Sequence, residues 1–377
     1  MVLDTETLRD LEIVPTPMAR GATLWSMIDR TRTRLGGQAL RQCLLAPPHT
    51  VEEILGLQQA HQLLAADLSS CRAVLDRADL DGMESYLKVS WQLPADMPRL
   101  ARFRKWYRQY LQDVAHGQAR VAGLLAAAAD LRGRLLASDS PVLRGLGEEL
   151  ATLLDAPEMR ELLGLATRHS SPPLREFDQL ARDRAGRVLL AVSRCIGRVE
   201  ALWSVGAATR EHGWTYPRPS TRLRVIGLVH PFLGPHAVPN DLHLSDLVRV
   251  CFVTGPNMAG KSTFLKAVAI AVLLAHTGCG VPASSMEFPV VATVFSSVNI
   301  EDNLGAGESF YLAEVRRIAA LARALYDHGS AIAVVDEPFR GTNVHDAAEA
   351  TLAVITRLAV HPAALVFVAS HVAEVVP

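Results

Sequence analysis

The sequence predicts an all-α region, residues 1–219, followed by an α/β domain, residues 220–377, with a parallel sheet flanked by helices. Three observations support this prediction. From about residue 99 to 168 and from about 174 to 212, apolar residues recur at helical spacing and β-branched residues are few. After YPRPS (216–220), short apolar runs bounded by Gly and Pro alternate with helical segments. Such alternation is typical of a parallel sheet covered on both faces.

The individual elements follow from local signals. In residues 23–48 apolar side chains recur at helical spacing, and Pro47-Pro48 ends the run. SSPP at 170–173 is a second break, where Pro172 suits a helix start, and the long helical stretch that follows ends at Gly213. The predicted strands lie in the apolar runs at 223–229, 248–255, 290–298, 330–337 and 363–370.

Composition limits the classes of function. Half of the residues are hydrophobic (49%), which excludes a disordered chain, and a net charge of −1 predicts no polyanion partner except through a local patch. Five scattered cysteines without CxxC spacing favour free thiols in a reducing cytoplasm over disulfides or a zinc site. No secretory signal opens the chain, and the longest apolar run, 267–275, is too short to span a bilayer. We therefore expect a cytoplasmic protein without a membrane partner, and a buried helix at 267–275.

The segment 254–263, TGPNMAGKST, predicts a phosphate-binding loop. It fits G-x-x-x-x-G-K-[ST], with an apolar strand before it and a helix after it. The glycines let backbone N–H groups turn toward a phosphate, and the helix N-terminus adds partial positive charge. The predicted nucleotide-binding residues are Gly255, Pro256, Asn257, Met258, Ala259, Gly260, Lys261, Ser262 and Thr263.

Lys261 is one of only four lysines, against 34 arginines. A compact ammonium on a flexible stem reaches the β- and γ-phosphates inside a narrow loop better than a planar guanidinium does. We expect Ser262 to bind Mg²⁺ and Thr263 to hydrogen-bond the α-phosphate. A Gly-rich turn that binds nothing is the alternative interpretation of this segment.

Two further signals favour nucleotide hydrolysis. Asp336 and Glu337 end an apolar strand, and α/β sheets bind ligands at the carboxyl ends of their strands. We therefore expect Asp336 to belong to the Mg²⁺ shell and Glu337 to polarise a water molecule. A solvated strand end is the alternative. His371 follows another apolar strand, in the position of the histidine that senses the γ-phosphate in ATPases of the ABC type. An exposed or capped histidine is the alternative there.

Taken together, these motifs resemble the MutS family of DNA mismatch-repair ATPases. The resemblance rests on GPNMAGKST, on GCGVPAS (278–284), on 301–310, which looks like the signature loop, on Arg340-Gly341-Thr342-Asn343 and on VASH (368–371). Residues 27–48 and 198–219 look like parts of the helical core or lever domain, and HPF (230–232) and VPNDLHL (238–244) look like the segment beside the adenine.

The resemblance implies an ABC-type P-loop ATPase that uses ATP and Mg²⁺ and forms a homodimer through the ATPase domain. Ser309 would reach the nucleotide held by the partner subunit. Duplex or branched DNA is the implied partner, in mismatch repair or recombination-related metabolism, and the protein would be nucleoid-associated when bound to DNA. Where the family often stacks an aromatic residue on adenine, this chain has Ala237, so His236 or Val238 would provide that contact.

The sequence also departs from the family pattern. The mismatch-reading and connector domains are expected to be absent, no β-rich clamp is visible within 99–174, and the C-terminal dimerisation helices would lie beyond residue 377. A second hypothesis is therefore an ATP-gated protein-interaction module without direct DNA binding. A transporter-type ABC ATPase fits less well, because the loop at 301–310 has neither the transporter signature nor the form of a glutamine loop. A P-loop kinase also fits less well, because no acceptor-site signature is visible in the sequence.

The segment 99–110 combines five positive charges with four aromatic residues, which suggests nucleic-acid binding. However, Phe103, Trp106, Tyr107 and Tyr110 are spaced as the buried stripe of one helix. We favour a helix with buried aromatic side chains and solvated Arg and Lys.

Overall fold

The computed structural model describes residues 1–15, 21–89, 105–166, 174–244, 248–298, 310–340 and 342–370. The chain divides into two compact units. The first unit contains residues 1–28, 41–58 and 208–377, and the second contains residues 29–40 and 59–207. Residues 1–28 and 41–58, which precede the predicted α/β domain in sequence, thus group with it, and the boundary at 219 stays a prediction.

The helices are α1 (Thr5–Asp10), α2 (Leu24–Ile28), α3 (Arg34–Leu45), α4 (Val51–Ala66), α5 (Leu68–Arg77), α6 (Leu80–Lys88), α7 (Lys105–Leu136), α8 (Pro141–Leu154), α9 (Pro157–Ala166), α10 (Leu174–Gln179), α11 (Gly186–His212), α12 (Lys261–His276), α13 (Phe310–His328) and α14 (Val344–Ala359). The strands are β1 (Arg218–Pro219), β2 (Leu223–Leu228), β3 (Asn240–Leu244), β4 (Val250–Thr254), β5 (Ser285–Phe288), β6 (Thr293–Ser297), β7 (Ala331–Asp336) and β8 (Ala364–Ser370).

A four-stranded parallel sheet with the order β4-β8-β7-β6 forms the centre of the first unit. Its strands are short apolar runs, and β6 and β7 are buried almost throughout, as expected for a sheet covered by helices. Helices α12, α13 and α14 pack against it, and Phe295, Leu321 and Val366 lie in the core that the sheet shares with α13 and α14. The prediction of strands at 248–255, 290–298, 330–337 and 363–370 is confirmed.

The fifth predicted strand is correct in position but belongs to a different sheet. The run at 223–229 forms β2, which pairs antiparallel with β3 and β5 in a mixed sheet of order β1-β5-β2-β3. A bulge interrupts the pairing of β2 with β3 near Gly227, whose φ of 65° a glycine adopts without strain. The predicted parallel sheet flanked by helices is therefore present with four of the five predicted strands, and β2 lies outside it, because apolar runs specify strands but not their partners.

The N-terminal residues pack against the edge strand β6 within the first unit. Val2 pairs with Thr293 in parallel, and Asp10, which is buried, accepts hydrogen bonds from Ser296 Oγ (2.9 Å) and from the Val298 N–H (2.8 Å). Arg317 of α13, also buried, donates to Asp4 Oδ2 (2.7 Å). These contacts cover polar groups that an edge strand otherwise leaves exposed.

The described part of the second unit consists of helices and the loops that connect them, with no strand, as the sequence predicts. One turn of π-helix, Leu180–Arg184, interrupts the predicted stretch from 174 to 212. Beside it, the buried Asp178 accepts a hydrogen bond from Tyr86 Oη (2.8 Å) and pairs with Arg182 (2.6 Å). In the described part of the basic segment, Tyr110 is buried, Trp106 and Tyr107 are partly buried, and Lys105 and Arg108 are exposed. This agrees with the favoured interpretation for Tyr110 and in part for the other two aromatic side chains, while Phe103 lies outside the described residues.

Helix α12 confirms the expected buried helix, because each side chain from Ala267 to Ala275 is buried. Among the described residues, no helix has the length and apolar character that a membrane span requires. The five cysteines are all free thiols.

Candidate functional site

The loop between β4 and α12 has the conformation that its glycines allow. Gly255 has φ 150° and Gly260, the N-cap of α12, has φ 94°, and both values lie in the region that favours glycine. Met258 also has a positive φ, 66°, and its side chain is fully exposed. No side chain caps the N-terminus of α12, so its first N–H groups are available to an anion.

Lys261 points back into this loop. Its side chain is buried, and Nζ donates to the carbonyl oxygens of Gly255 (2.9 Å) and Pro256 (3.2 Å) and to Asn257 Oδ1 (3.4 Å). The ammonium group is therefore held at the centre of the loop. Neutral carbonyls satisfy its donors, and a phosphate would replace these weak partners with a charged one.

A hydrogen bond between Ser262 and Asp336 joins the start of helix α12 to the end of strand β7. Ser262, in the first turn of α12, donates a hydrogen bond from Oγ to Asp336 Oδ2 at the end of β7. The other oxygen, Asp336 Oδ1, is buried and has no hydrogen-bond partner. Burial raises the pKa of Asp336, with Glu337 acting in the same direction and the Ser262 hydrogen bond opposing it. A desolvated carboxylate with an unsatisfied oxygen favours a nearby cation.

The residues at this position fit Mg²⁺. A serine hydroxyl and an aspartate carboxylate are hard oxygen donors, and Mg²⁺ is usually held by one or two carboxylates together with waters and substrate phosphates. Within the described ranges, no group of three or more His, Cys, Asp or Glu side chains could hold a metal by itself. A pair of protein ligands at the mouth of a phosphate-binding loop matches the Mg²⁺ mode.

Glu337 lies directly beside this pair. Its backbone has φ 45°, and its N–H donates to the carbonyl of Ala369 in β8 (2.8 Å). The carboxylate is mostly buried, with Oε1 3.9 Å from Lys261 Nζ and Oε2 3.8 Å from Arg340 Nη1. The acid is therefore held between two cations at the carboxyl end of the parallel sheet.

A cavity of about 460 Å³ lies beside the predicted phosphate-binding loop. Its wall contains Gly260, Lys261 and Thr263 together with Val238, the predicted adenine contact, which is 73% exposed. His236 also lines it, so both candidates for the base contact face the same space. Burial, and then the charge of Lys266, lower the pKa of His230 on the same wall.

Several wall residues were not singled out from the sequence. Leu228, Leu233 and Phe264 contribute apolar surface to the cavity, and Asn240 and Asp241 contribute polar groups. Asp241 Oδ1 already accepts the Gly227 N–H (2.8 Å). The HPF and VPNDLHL segments marked the region, but single leucines carry no signal that separates a cavity wall from a core.

The other predicted residues either lie outside the described residues or make structural contacts. Ser309 and His371 lie outside the described residues, as do residues 301–308 and Gly341. Asn343 caps α14, because its Oδ1 accepts the Asp346 N–H (3.0 Å). In the segment 278–284, Val281 forms an isolated bridge with Thr215 (2.9 and 3.1 Å), and the Ser284 N–H donates to the Ile226 carbonyl of β2 (2.9 Å).

Comparisons with known proteins agree with the motif analysis. Residues 251–377, which contain the predicted phosphate-binding loop and the acid pair, match the family described as MutS domain V. DNA mismatch repair protein MutS 2 of Halobacterium salinarum is 34% identical over 50% of this chain and 25% of its own length. DNA mismatch repair protein MutS of Treponema pallidum is 36% identical over 52% of this chain and 22% of its own.

One relative aligns with nearly the whole chain. DNA mismatch repair protein MutS of Solibacter usitatus is 26% identical over 99% of this chain and 55% of its own length. The chain therefore spans between about a fifth and just over half of the length of these three curated relatives. The similarity extends through the helical region as well as the sheet.

Proposed function

Because the chain is a MutS-like protein, we propose that it binds ATP with Mg²⁺ and hydrolyses it to ADP and phosphate. Residues 220–377 would be a P-loop domain of the ABC type, and residues 1–219 a helical core and lever region. The ATPase cycle would drive a dimer switch coupled to DNA binding, in mismatch repair or recombination-related DNA metabolism.

The observation that carries this proposal is the arrangement of four side chains at the carboxyl ends of β4 and β7. Lys261 and Ser262 come from the phosphate-binding loop and its helix, and Asp336 and Glu337 come from the end of β7. The hydrogen bond from Ser262 to Asp336 joins the two segments, and Asp336 Oδ1 keeps one buried lone-pair site unsatisfied. This is the side-chain set that phosphate binding, cation binding and water activation require.

Each residue has a separate role in the proposed reaction. Lys261 and the N–H groups of the loop bind the β- and γ-phosphates, while Thr263 binds the α-phosphate. Ser262 and Asp336 would hold Mg²⁺, which when bound neutralises charge on the phosphate oxygens. Glu337 accepts a hydrogen bond from the attacking water and orients it toward the γ-phosphate. His371 is proposed to sense the γ-phosphate.

The base site is proposed to lie in the cavity beside the loop. Val238 supplies apolar surface there, and the His236 ring is available for stacking. Across the dimer, Ser309 of each subunit would contact the nucleotide held by the other. ATP binding would then close the dimer and move the helical region, and hydrolysis would reopen it.

A DNA partner is proposed because the relatives are DNA mismatch repair proteins by name. The charge distribution favours the helical unit as the DNA-binding part. Residues 29–40 and 59–207 contain 23 Lys and Arg against 19 Asp and Glu, whereas the chain as a whole carries a net charge of −1. A small positive excess on the unit that lacks the nucleotide site suits contact with phosphates.

The test is to measure the ATPase rate and DNA binding together. Purified protein is assayed for phosphate release without DNA and with single-stranded, duplex and branched DNA, and DNA affinity is measured across a series of salt concentrations. We expect turnover, stimulated by at least one DNA form, and affinity that falls steeply as salt rises. Turnover without DNA binding at low salt would favour the ATP-gated protein-interaction module, and no turnover under any condition would refute the ATPase.

A further inference from the structure

The turn after the acid pair is held in a conformation that its residues do not favour. Glu337 and Phe339 both have positive φ values, 45° and 63°, although neither is glycine. L-residues with a side chain rarely adopt this region, so surrounding contacts must hold them there. The first of these contacts is the hydrogen bond from the Glu337 N–H to Ala369 in β8.

The opposite end of the turn is held by Glu314 of helix α13. Glu314 Oε1 accepts the backbone N–H of Arg340 at 3.0 Å, and the Glu314 side chain is only 2% exposed. A buried carboxyl group is costly unless polar partners satisfy it, so the Arg340 N–H and the Glu314 side chain are each stabilised by this hydrogen bond. The aromatic rings of Tyr311 and Phe339 add a second contact between α13 and the turn, with ring centroids 6.0 Å apart.

The position of this turn sets the position of the Glu337 side chain. The Glu337 carboxylate lies between Lys261 Nζ (3.9 Å) and Arg340 Nη1 (3.8 Å), and Arg340 is the residue whose N–H is bound to Glu314. If the Arg340 N–H lost its acceptor, the strained turn would relax and both Glu337 and Arg340 would shift. The loop that contains Lys261 is held by its own hydrogen bonds, from Lys261 Nζ to Gly255, Pro256 and Asn257, so we expect it to remain in place.

We propose that Glu314 is a positioning residue for Glu337: by holding the Arg340 N–H, it keeps the water-orienting carboxylate in the geometry that hydrolysis requires. This inference rests on the proposed ATPase function and deepens it, because it places control of the hydrolytic step in helix α13. A change in the position of α13 would alter the turnover rate while leaving nucleotide affinity nearly unchanged.

The experiment compares Glu314→Ala with Glu314→Gln, which keeps an oxygen acceptor, and with Arg323→Ala, a control at an exposed charged position of the same helix. We expect Glu314→Ala to lower kcat by about tenfold to a hundredfold, since displacement of a reacting group by about 1 Å has effects of this size. The Kd of a non-hydrolysable ATP analogue should stay within about threefold of the original value. Glu314→Gln should recover most of the turnover, and Arg323→Ala should match the unmodified protein.

A double-variant cycle makes the test sharper. In the Glu337→Gln background no carboxylate remains to be misplaced, so adding Glu314→Ala should lower the residual rate by less than about twofold. A full further loss in that background would overturn the proposal. So would equal damage from Glu314→Gln and Glu314→Ala, or a change in Kd as large as the change in kcat.

Hydrogen exchange of residues 337–340, measured by mass spectrometry, separates this inference from the proposed function. Exchange should be faster in Glu314→Ala than in Glu314→Gln, whether or not the protein hydrolyses ATP. If the unmodified protein shows no turnover but the exchange difference is present, the ATPase proposal fails while the role of Glu314 in holding the turn stands. Unchanged exchange in Glu314→Ala refutes that role. If Glu314→Ala does not fold, Glu314→Asp, which retains the charge but has a shorter reach, takes its place.

Discussion

His276 in the last turn of α12 should make the stability of the first unit depend on pH. The ring is buried: His276 Nδ1 donates to the Val272 carbonyl (2.8 Å) and Nε2 accepts the Val291 N–H (3.0 Å), an arrangement that requires the neutral ring. Burial lowers the pKa of His276 from its ordinary value of 6.5 to about 4, and the positive N-terminus acts in the same direction.

The sign and size of the effect follow from proton linkage. Because the pKa of His276 is lower in the folded state, the unfolded state binds the proton first as the pH falls below about 6.5. Stability is therefore lost between about pH 6.5 and pH 4, and no further loss arises from this group below its folded pKa. A difference of about 2.5 pKa units corresponds to about 3 kcal/mol in total, of which about 2 kcal/mol is lost by pH 5.

The assay is urea unfolding at pH 7 and pH 5 for the unmodified protein and for His276→Gln, which does not titrate. His230, whose pKa is also lowered by burial, titrates in both proteins and cancels from the comparison. We expect the unmodified protein to lose about 2 kcal/mol more than the variant over this interval, at constant m-value. The same pH dependence in both proteins would show that His276 is not held neutral by its two hydrogen bonds.

Four further outcomes test the site and its scaffold. Lys261→Ala should weaken ATP binding by about a hundredfold, because charged hydrogen bonds to phosphate are lost, and isothermal titration measures this; unchanged affinity would contradict the loop assignment. Glu337→Gln should bind ATP but lower kcat by about a hundredfold or more in a phosphate-release assay, and normal turnover would remove Glu337 as the water-orienting group. Mixing Ser309→Ala with Lys261→Ala should restore part of the turnover that each lacks alone if Ser309 acts across a dimer, and no recovery would count against that arrangement. Gly280→Ala should lower the free energy of unfolding by about 1–3 kcal/mol in urea titration, because a Cβ there would lie 2.4 Å from Thr209 Cγ2, and full stability would show that the contact relaxes freely.

The local backbone around the candidate site could be predicted from the sequence. Gly255 and Gly260 adopt the positive φ values that the loop motif requires. The apolar run that ends just before Gly255 forms β4, and the apolar run that ends at Asp336 forms β7. The break at Gly213 and the buried helix from 267 to 275 were predicted for the same reason. In each case a short stretch of residues determines its own backbone, through glycine conformations, strand propensity or helical spacing.

Contacts between distant segments could not be predicted in this way. Asp10 and Val298 are far apart in sequence, yet Asp10 holds the end of β6. The carboxyl group of Glu314, which the sequence presents as one acid on an amphipathic helix, holds the turn that follows Glu337. Neither role produces a recognisable pattern in the neighbouring sequence, because the role of a buried acid depends on a partner that is distant in the chain.

The residues themselves determined the backbone of the loop at 255–260, the place of the acid pair at the end of β7 and the order of helices and strands, since each depends on interactions between near neighbours in the chain. Only the tertiary structure decided that β2 joins a mixed sheet, that Ser262 meets Asp336, and which side chains line the cavity beside the loop. The physical reason is that strand pairing and burial depend on which surfaces meet when the chain folds, and many different sequences can supply an apolar or polar partner for the same surface.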